Sequence, residues 1–210
     1  MNIGPMRKER WEAVYTAKSD AELSWTQPEP ATSLALIEEV CPAGQAPAKK
    51  VIDVGGGTSL LAGRLLDRGY AVTVLDISQA AIDRARRGLG ARASEVRWMV
   101  ADVTAGPELG TFDVWHDRAV FHFLTAAADR AAYAALLART VPVDGHAVIA
   151  TFALDGPERC SGLPVARYSP ETLADELGSD FALVDARPYA HVTPWGAVQS
   201  FQYSRFRRLR

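Results

Sequence analysis

In VIDVGGGTSL, residues 51–60, a strand-like apolar run carrying Asp53 opens into three consecutive glycines. The amphipathic stretch TSLLAGRLLDRG (58–69) follows, so the segment reads as strand, tight turn and helix. Glycines at such a turn supply positive φ or let a ligand come close to the backbone. The same punctuation recurs downstream. AVTVLD (71–76) reads as a strand, and SQAAIDRARRGLG (78–90) as a helix with Ser78 as its N-cap. VRWMVAD (96–102) and FDVWHD (112–117) are strands, and TAAADRAAYAALLART (125–140) is an Ala-rich helix with Thr125 as its cap. HAVIATFAL (146–154) is a strand, and SPETLADEL (169–177) a helix with Ser169 capping and Pro170 at its first position. FALVDARPY (181–189) and VQSFQYSRFR (198–207) close the chain as strands with no helix between them.

This alternation predicts an α/β fold: a doubly wound, Rossmann-like sheet of about seven strands, mostly parallel, with helices on both faces. The last two strands form an antiparallel C-terminal edge hairpin. Ligands in such a sheet sit beyond the carboxyl ends of the strands, near the switch point. At 210 residues the chain suits one domain. Residues 1–30, polar and aromatic and ending in QPEP, form a separate N-terminal segment ahead of the core at 31–210.

A hydrophobic share of 48% and a net charge of −2 give no reason to expect a nucleic-acid partner. Cys41 and Cys160 are the two cysteines and lack metal-ligand spacing, so no metal is expected. No apolar run has the length of a signal peptide or a membrane span, so a cytoplasmic protein without membrane contact is expected. Monomer and homodimer both remain open.

The glycines do not complete a dinucleotide fingerprint. Counting from Gly55 gives Gly57 and then Leu60 where a third glycine belongs, and no Lys follows to make a phosphate-cradling loop. Asp53, just before the turn, would oppose a pyrophosphate but suits a ligand bearing positive charge. Asp76 ends the second strand, where a carboxylate can accept both ribose hydroxyls. Asp102 ends the third strand, placed to accept from an adenine amino group while Val103 donates its backbone N–H. S-adenosylmethionine combines a ribose, an amino group and a sulfonium without phosphate.

As a set, these motifs resemble the class I S-adenosylmethionine-dependent methyltransferases. VIDVGGGTS is similar to their first motif, with Ser59 where many members carry a further glycine. TVLDIS (73–78) resembles the segment carrying the ribose acid, which places Ile77 beside the ligand, and VADV (100–103) resembles the adenine-contact motif. FDVWHDRAVFHFL (112–124) and HAVIATF (146–152) resemble the fourth and fifth strands. The resemblance implies S-adenosylmethionine as cofactor and S-adenosylhomocysteine as product. A nicotinamide oxidoreductase is disfavoured by Leu60 and Asp53.

WEAVYTAKSDAELSWTQPEP (11–30) resembles the N-terminal lid of thiopurine, tellurite and related small-substrate methyltransferases, and of some protein-lysine methyltransferases. Trp11, Tyr15 and Trp25 would close over the cofactor, with cation–π attraction for a sulfonium; alternatively they staple a helix to the sheet. By the same resemblance, Asp117 and Arg118 would sit beside the transferring methyl. His116 and His122 are candidate bases, although His122 between two phenylalanines also reads as a packed side chain. Arg159, Cys160 and Tyr168, in the loop after the fifth strand, are candidate substrate contacts. A small nucleophilic acceptor such as a thiol or a sulfur, selenium, tellurium or arsenic species is expected. Protein-lysine methylation and non-catalytic cofactor binding are the alternatives.

Overall fold

The computed structural model describes residues 4–44 and 47–210. Helix α1 spans Gly4–Ala17 and α2 Ala31–Val40. Strand β1 (Lys50–Val54) leads through the glycine turn to α3 (Leu61–Leu66), and β2 (Ala71–Asp76) leads to α4 (Gln79–Leu89). Then come β3 (Arg97–Val100), β4 (Val114–Arg118), α5 (Ala127–Thr140) and β5 (His146–Phe152). A short hairpin, β6 (Arg159–Cys160) and β7 (Leu163–Pro164), precedes α6 (Pro170–Leu177), β8 (Phe181–Val192) and β9 (Val198–Arg208).

The main sheet has seven strands in the order β3-β2-β1-β4-β5-β9-β8. The first five run parallel, and β9 joins β5 antiparallel with β8 paired outside it, as the alternating pattern predicts. The order reverses between β1 and β4, which makes that crevice the switch point. Both faces are covered. Leu34 and Ile37 of α2, Leu61 and Leu65 of α3 and Ile82 of α4 pack with Val51, Val72 and Val148 on one face. Tyr133, Leu136 and Leu137 of α5 and Leu173 of α6 pack with Ile52, Trp115 and Ile149 on the other. Alternate residues of each strand therefore serve opposite layers. Among the described residues no helix is long and apolar enough to cross a membrane.

Local signals hold unevenly. Ser78 and Ser169 cap their helices by accepting from Ala81 and Thr172 N–H. Thr125 does not cap α5; Ala126 holds that place without a side-chain bond, and the Thr125 carbonyl accepts from Arg130. The helix expected over 58–69 is confined to Leu61–Leu66, because Thr58 and Ser59 belong to the turn and Ser59 Oγ accepts from Leu61 N–H.

Candidate functional site

Two adjoining cavities open at the carboxyl ends of β1, β2 and β4, sharing Tyr15, Trp25, Gly55 and Arg118. The larger, about 740 Å³ counted out to solvent, is the size of a small-molecule site. Its lining includes Asp76, Ile77, Asp102 and Val103 together with Trp11, Phe123, Leu124 and Cys160. The smaller is the more polar of the two and is lined by Asp53, Gly56, Thr58 and Ser59 of the glycine turn, with Ser33 and His116.

The glycine turn owes its shape to Gly55 and Gly57, with φ of +65° and +50°. A Cβ on Gly55 would collide with the Val120 side chain, and one on Gly57 would lie 2.5 Å from Tyr15 Oη. Asp76 faces this turn. It accepts from Gly57 N–H at 2.9 Å through one oxygen and from Ser78 N–H at 2.9 Å through the other. Each oxygen keeps a free lone pair beside the cavity. Burial pushes its carboxyl up to about 6, more than the backbone N–H groups of Ser78, Gly57 and Ile77 pull it down.

Asp102 is more fully engaged. Thr104 donates to it through backbone N–H and hydroxyl, and Arg7 reaches both carboxylate oxygens and Asp129 as well. Asp102 lines the larger cavity, and an adenine amino group would share it with Arg7.

α1 is fastened over the larger cavity. Glu12 accepts from Ser78 Oγ and Ala80 N–H, so a carboxylate caps the α4 N-terminus from outside. Arg84 returns from α4 to the carbonyls of Tyr15 and Lys18. Trp11 packs edge-on against Trp25 and Phe123, with centroids at 5.7 Å and 4.9 Å. Arg7, Glu12 and Arg84 carried no sequence signal, since isolated charges in polar helices usually face solvent.

The residues expected to act on the acceptor separate. His116 donates from Nδ1 to Asp53 at 2.7 Å, and its Nε2 meets Ser33 Oγ at 2.9 Å. Ser33 in turn meets Tyr203 Oη at 3.2 Å. Both ring nitrogens are occupied in a buried chain, so His116 holds Asp53 rather than offering a free base. Asp117 points to the opposite face. It accepts from Val120 N–H, Phe121 N–H and Tyr133 Oη, and it is fully buried away from both cavities. That fastening braces Ala119, which has φ of 73° without being glycine. Asp117 is thus a turn brace, and its expected place beside the methyl is corrected.

His122 accepts from Phe152 N–H at 3.3 Å, and burial drives its imidazole down to about 3, so it stays neutral in the core. Tyr168 packs on Phe121 in the layer under α5, and Arg159 is exposed and donates to the Gly162 carbonyl. Neither lines a cavity, and for these three a substrate contact is corrected. Cys160 does reach the larger cavity, 5% exposed, and burial raises its thiol to about 11. A neutral thiol is a poor nucleophile. Cys160→Ser should leave S-adenosylhomocysteine affinity and turnover intact in calorimetric and steady-state assays, and loss of turnover alone would give the sulfur a chemical role.

A methyltransferase-domain family model matches residues 51–145, from β1 to the end of α5 and the turn beyond. A solved structure described as bearing on conversion of a disulfide bond into a thioacetal group during echinomycin biosynthesis is 27% identical. It aligns over 96% of this chain and 93% of that chain with a TM-score of 0.75. The protein is an S-adenosylmethionine-dependent methyltransferase. Its fold is also that of N-methyltransferase NodS from Bradyrhizobium japonicum, solved with S-adenosylhomocysteine (17% identity, all of both chains, TM-score 0.72). A TehB-like S-adenosylmethionine-dependent methyltransferase from Corynebacterium glutamicum shares it too (20% identity, 98% and 97% of the chains, TM-score 0.62). A search of curated proteins gives no match. The methyltransferase thus takes S-adenosylmethionine as cofactor, and the open lone pairs of Asp76 and the Cβ-free backbone at Gly55 and Gly57 suit such a ligand.

Proposed function

We propose that the enzyme methylates a small, soft nucleophile, of thiol or related sulfur type, inside the larger cavity. The observation that carries this reading is that, among the described residues, no imidazole lines the larger cavity, and its two carboxylates are accounted for, Asp76 by the cofactor and Asp102 by Arg7. Both nitrogens of His116 are engaged, His122 is buried in the core, and Asp117 is turned away. An amine or hydroxyl acceptor would require a free base; a thiolate would not. The resemblance to the structure concerned with a disulfide and a thioacetal supports sulfur chemistry in the same scaffold.

In this reading Asp76 takes the ribose hydroxyls, Ile77 and Val103 bracket the adenine, and Asp53 attracts the ammonium group. Gly55, Gly57 and Ser59 shape the turn around the amino-acid end. Trp11, Tyr15 and Trp25 serve as a lid that excludes water. Bound S-adenosylmethionine supplies a methyl already activated on sulfonium. The chain's part is alignment, which can be worth roughly 7–11 kcal/mol. A closed aromatic roof also speaks against a polypeptide lysine as acceptor.

An acceptor screen that reads S-adenosylhomocysteine release tests this reading. Thiols should turn over with a pH profile that follows each thiol's own pKa. Activity confined to amines, with an enzyme group setting the profile, would sink it.

Asp76→Asn should weaken S-adenosylhomocysteine binding by about tenfold to a hundredfold, since hydrogen bonds to a charged group contribute roughly 1.5–3 kcal/mol. Ribose hydroxyls need the carboxylate as acceptor. Binding to the wild type should therefore weaken as pH falls through about 6 and level off above it, because Asp76 takes up its proton there. In calorimetry across this range, Asp76→Asn should lose that dependence. A pH-independent wild type would remove Asp76 from the ribose.

A further inference from the structure

Arg118 closes β4 with a guanidinium only partly used. Its Nη1 donates to the Trp25 carbonyl at 2.8 Å, and its plane lies over the Phe201 ring at 4.9 Å. Its Nε and Nη2 are buried and make no close hydrogen bond among the described residues, although the Tyr203 hydroxyl lies near enough to act on the guanidinium. No carboxylate among the described residues forms an ion pair with it, although Arg7, the other arginine on the larger cavity, is fully matched by Asp102 and Asp129. A buried guanidinium edge without a close acceptor is costly to the fold, and such an edge fits a carboxylate in the two-pronged geometry arginine favours.

The surroundings narrow the acceptor. His122 and His191, near the same guanidinium, are held below their ordinary range by burial, so both stay neutral and neither adds a second positive charge beside it. Arg118 borders the smaller cavity, which Asp53 also lines together with its partner His116. Asp53 and Arg118 thus line one cavity, an acid and a base, with Arg118 Nε and Nη2 themselves shielded from solvent. A ligand group with an ammonium and a carboxylate on one carbon answers both.

We propose that the free edge of Arg118 is the clamp for the carboxylate of the cofactor's amino-acid end, making this arginine a ligand-selecting residue rather than one that handles the acceptor. His116 is then a positioning residue, aiming Asp53 at the ammonium. The proposal rests on the cofactor reading given above.

Calorimetry with three probes tests it: S-adenosylhomocysteine, its decarboxylated analogue 5′-(3-aminopropylthio)adenosine, and 5′-methylthioadenosine, which lacks the whole amino-acid end. The wild type should bind S-adenosylhomocysteine about tenfold to a hundredfold more tightly than the decarboxylated analogue. Arg118→Met should erase that preference and leave 5′-methylthioadenosine affinity unchanged, which shows that the nucleoside site has survived. Arg118→Lys should restore part of it. Equal wild-type affinity for the first two probes would overturn the proposal without any variant. So would an Arg118→Met enzyme that keeps the preference while turnover falls, since Arg118 would then face the acceptor. Failure of all three probes to bind the wild type would instead overturn the cofactor reading itself.

Discussion

Gly57→Val is expected to abolish measurable S-adenosylhomocysteine binding while circular dichroism still reports the native fold. Gly57 has φ of +50°, a region where a β-branched residue is strained by on the order of 1–3 kcal/mol. Its new Cβ would lie 2.5 Å from Tyr15 Oη and 3.6 Å from an Asp76 oxygen, so the side chain must displace the aromatic roof, the ribose acid or both. The N–H that orients Asp76 moves with it. Losing that orientation and the space together should weaken binding by on the order of a hundredfold or more, about 2.7 kcal/mol. The strain alone is smaller than the 5–15 kcal/mol that holds a domain together, so the chain should still fold. Gly57→Ala should fall between the two. Tight binding by the valine variant would place the cofactor elsewhere.

Asp117→Ala should be the most destabilising change near the site, and its effect should appear in melting temperature. Removing this carboxylate strands Val120 N–H, Phe121 N–H and the Tyr133 hydroxyl, which also accepts from Trp115 Nε1. Each buried unsatisfied group costs about 1–3 kcal/mol, with incomplete additivity, so a loss of roughly 3–5 kcal/mol is expected. At about 2–4 °C per kcal/mol for a chain of this size, the melting temperature should drop by on the order of 10 °C. Burial also lifts the Asp117 carboxyl to about 6, above its unfolded value of 3.8. The folded state then holds that proton more tightly than the unfolded chain. The corresponding stabilisation is fully present below about pH 4 and is lost as pH rises through about 6. Asp117→Asn should remove that part of the wild-type pH dependence. Unchanged melting with collapsed turnover would return Asp117 to the chemistry.

The contrast between Asp117 and its neighbours shows where sequence reading stopped short. HDR at 116–118 reads as one reactive cluster, yet successive strand residues point to opposite faces. His116 and Arg118 share the face of α2 and the cavities, whereas Asp117 shares that of Trp115 and faces Tyr133 on α5. The alternation was present in VWHDR. Which face held the ligand was not, because that depends on which helices cover each side.

The sequence alone determined the parallel α/β sheet, the glycine turn after β1 and the acids ending β1, β2 and the β3 segment. These follow from short-range periodicity and turn chemistry, which a few neighbouring residues control. The tertiary structure alone decided the rest. Arg7 engages Asp102 across 95 positions, Glu12 caps a helix 66 positions away, and Ser33 meets His116 across 83. Arg118 was visible as a charge, but its unspent edge exists only because Trp25, Phe201 and the sheet enclose it without supplying an anion. Pairing and burial between distant segments are set by packing of the whole chain, and no local pattern encodes them.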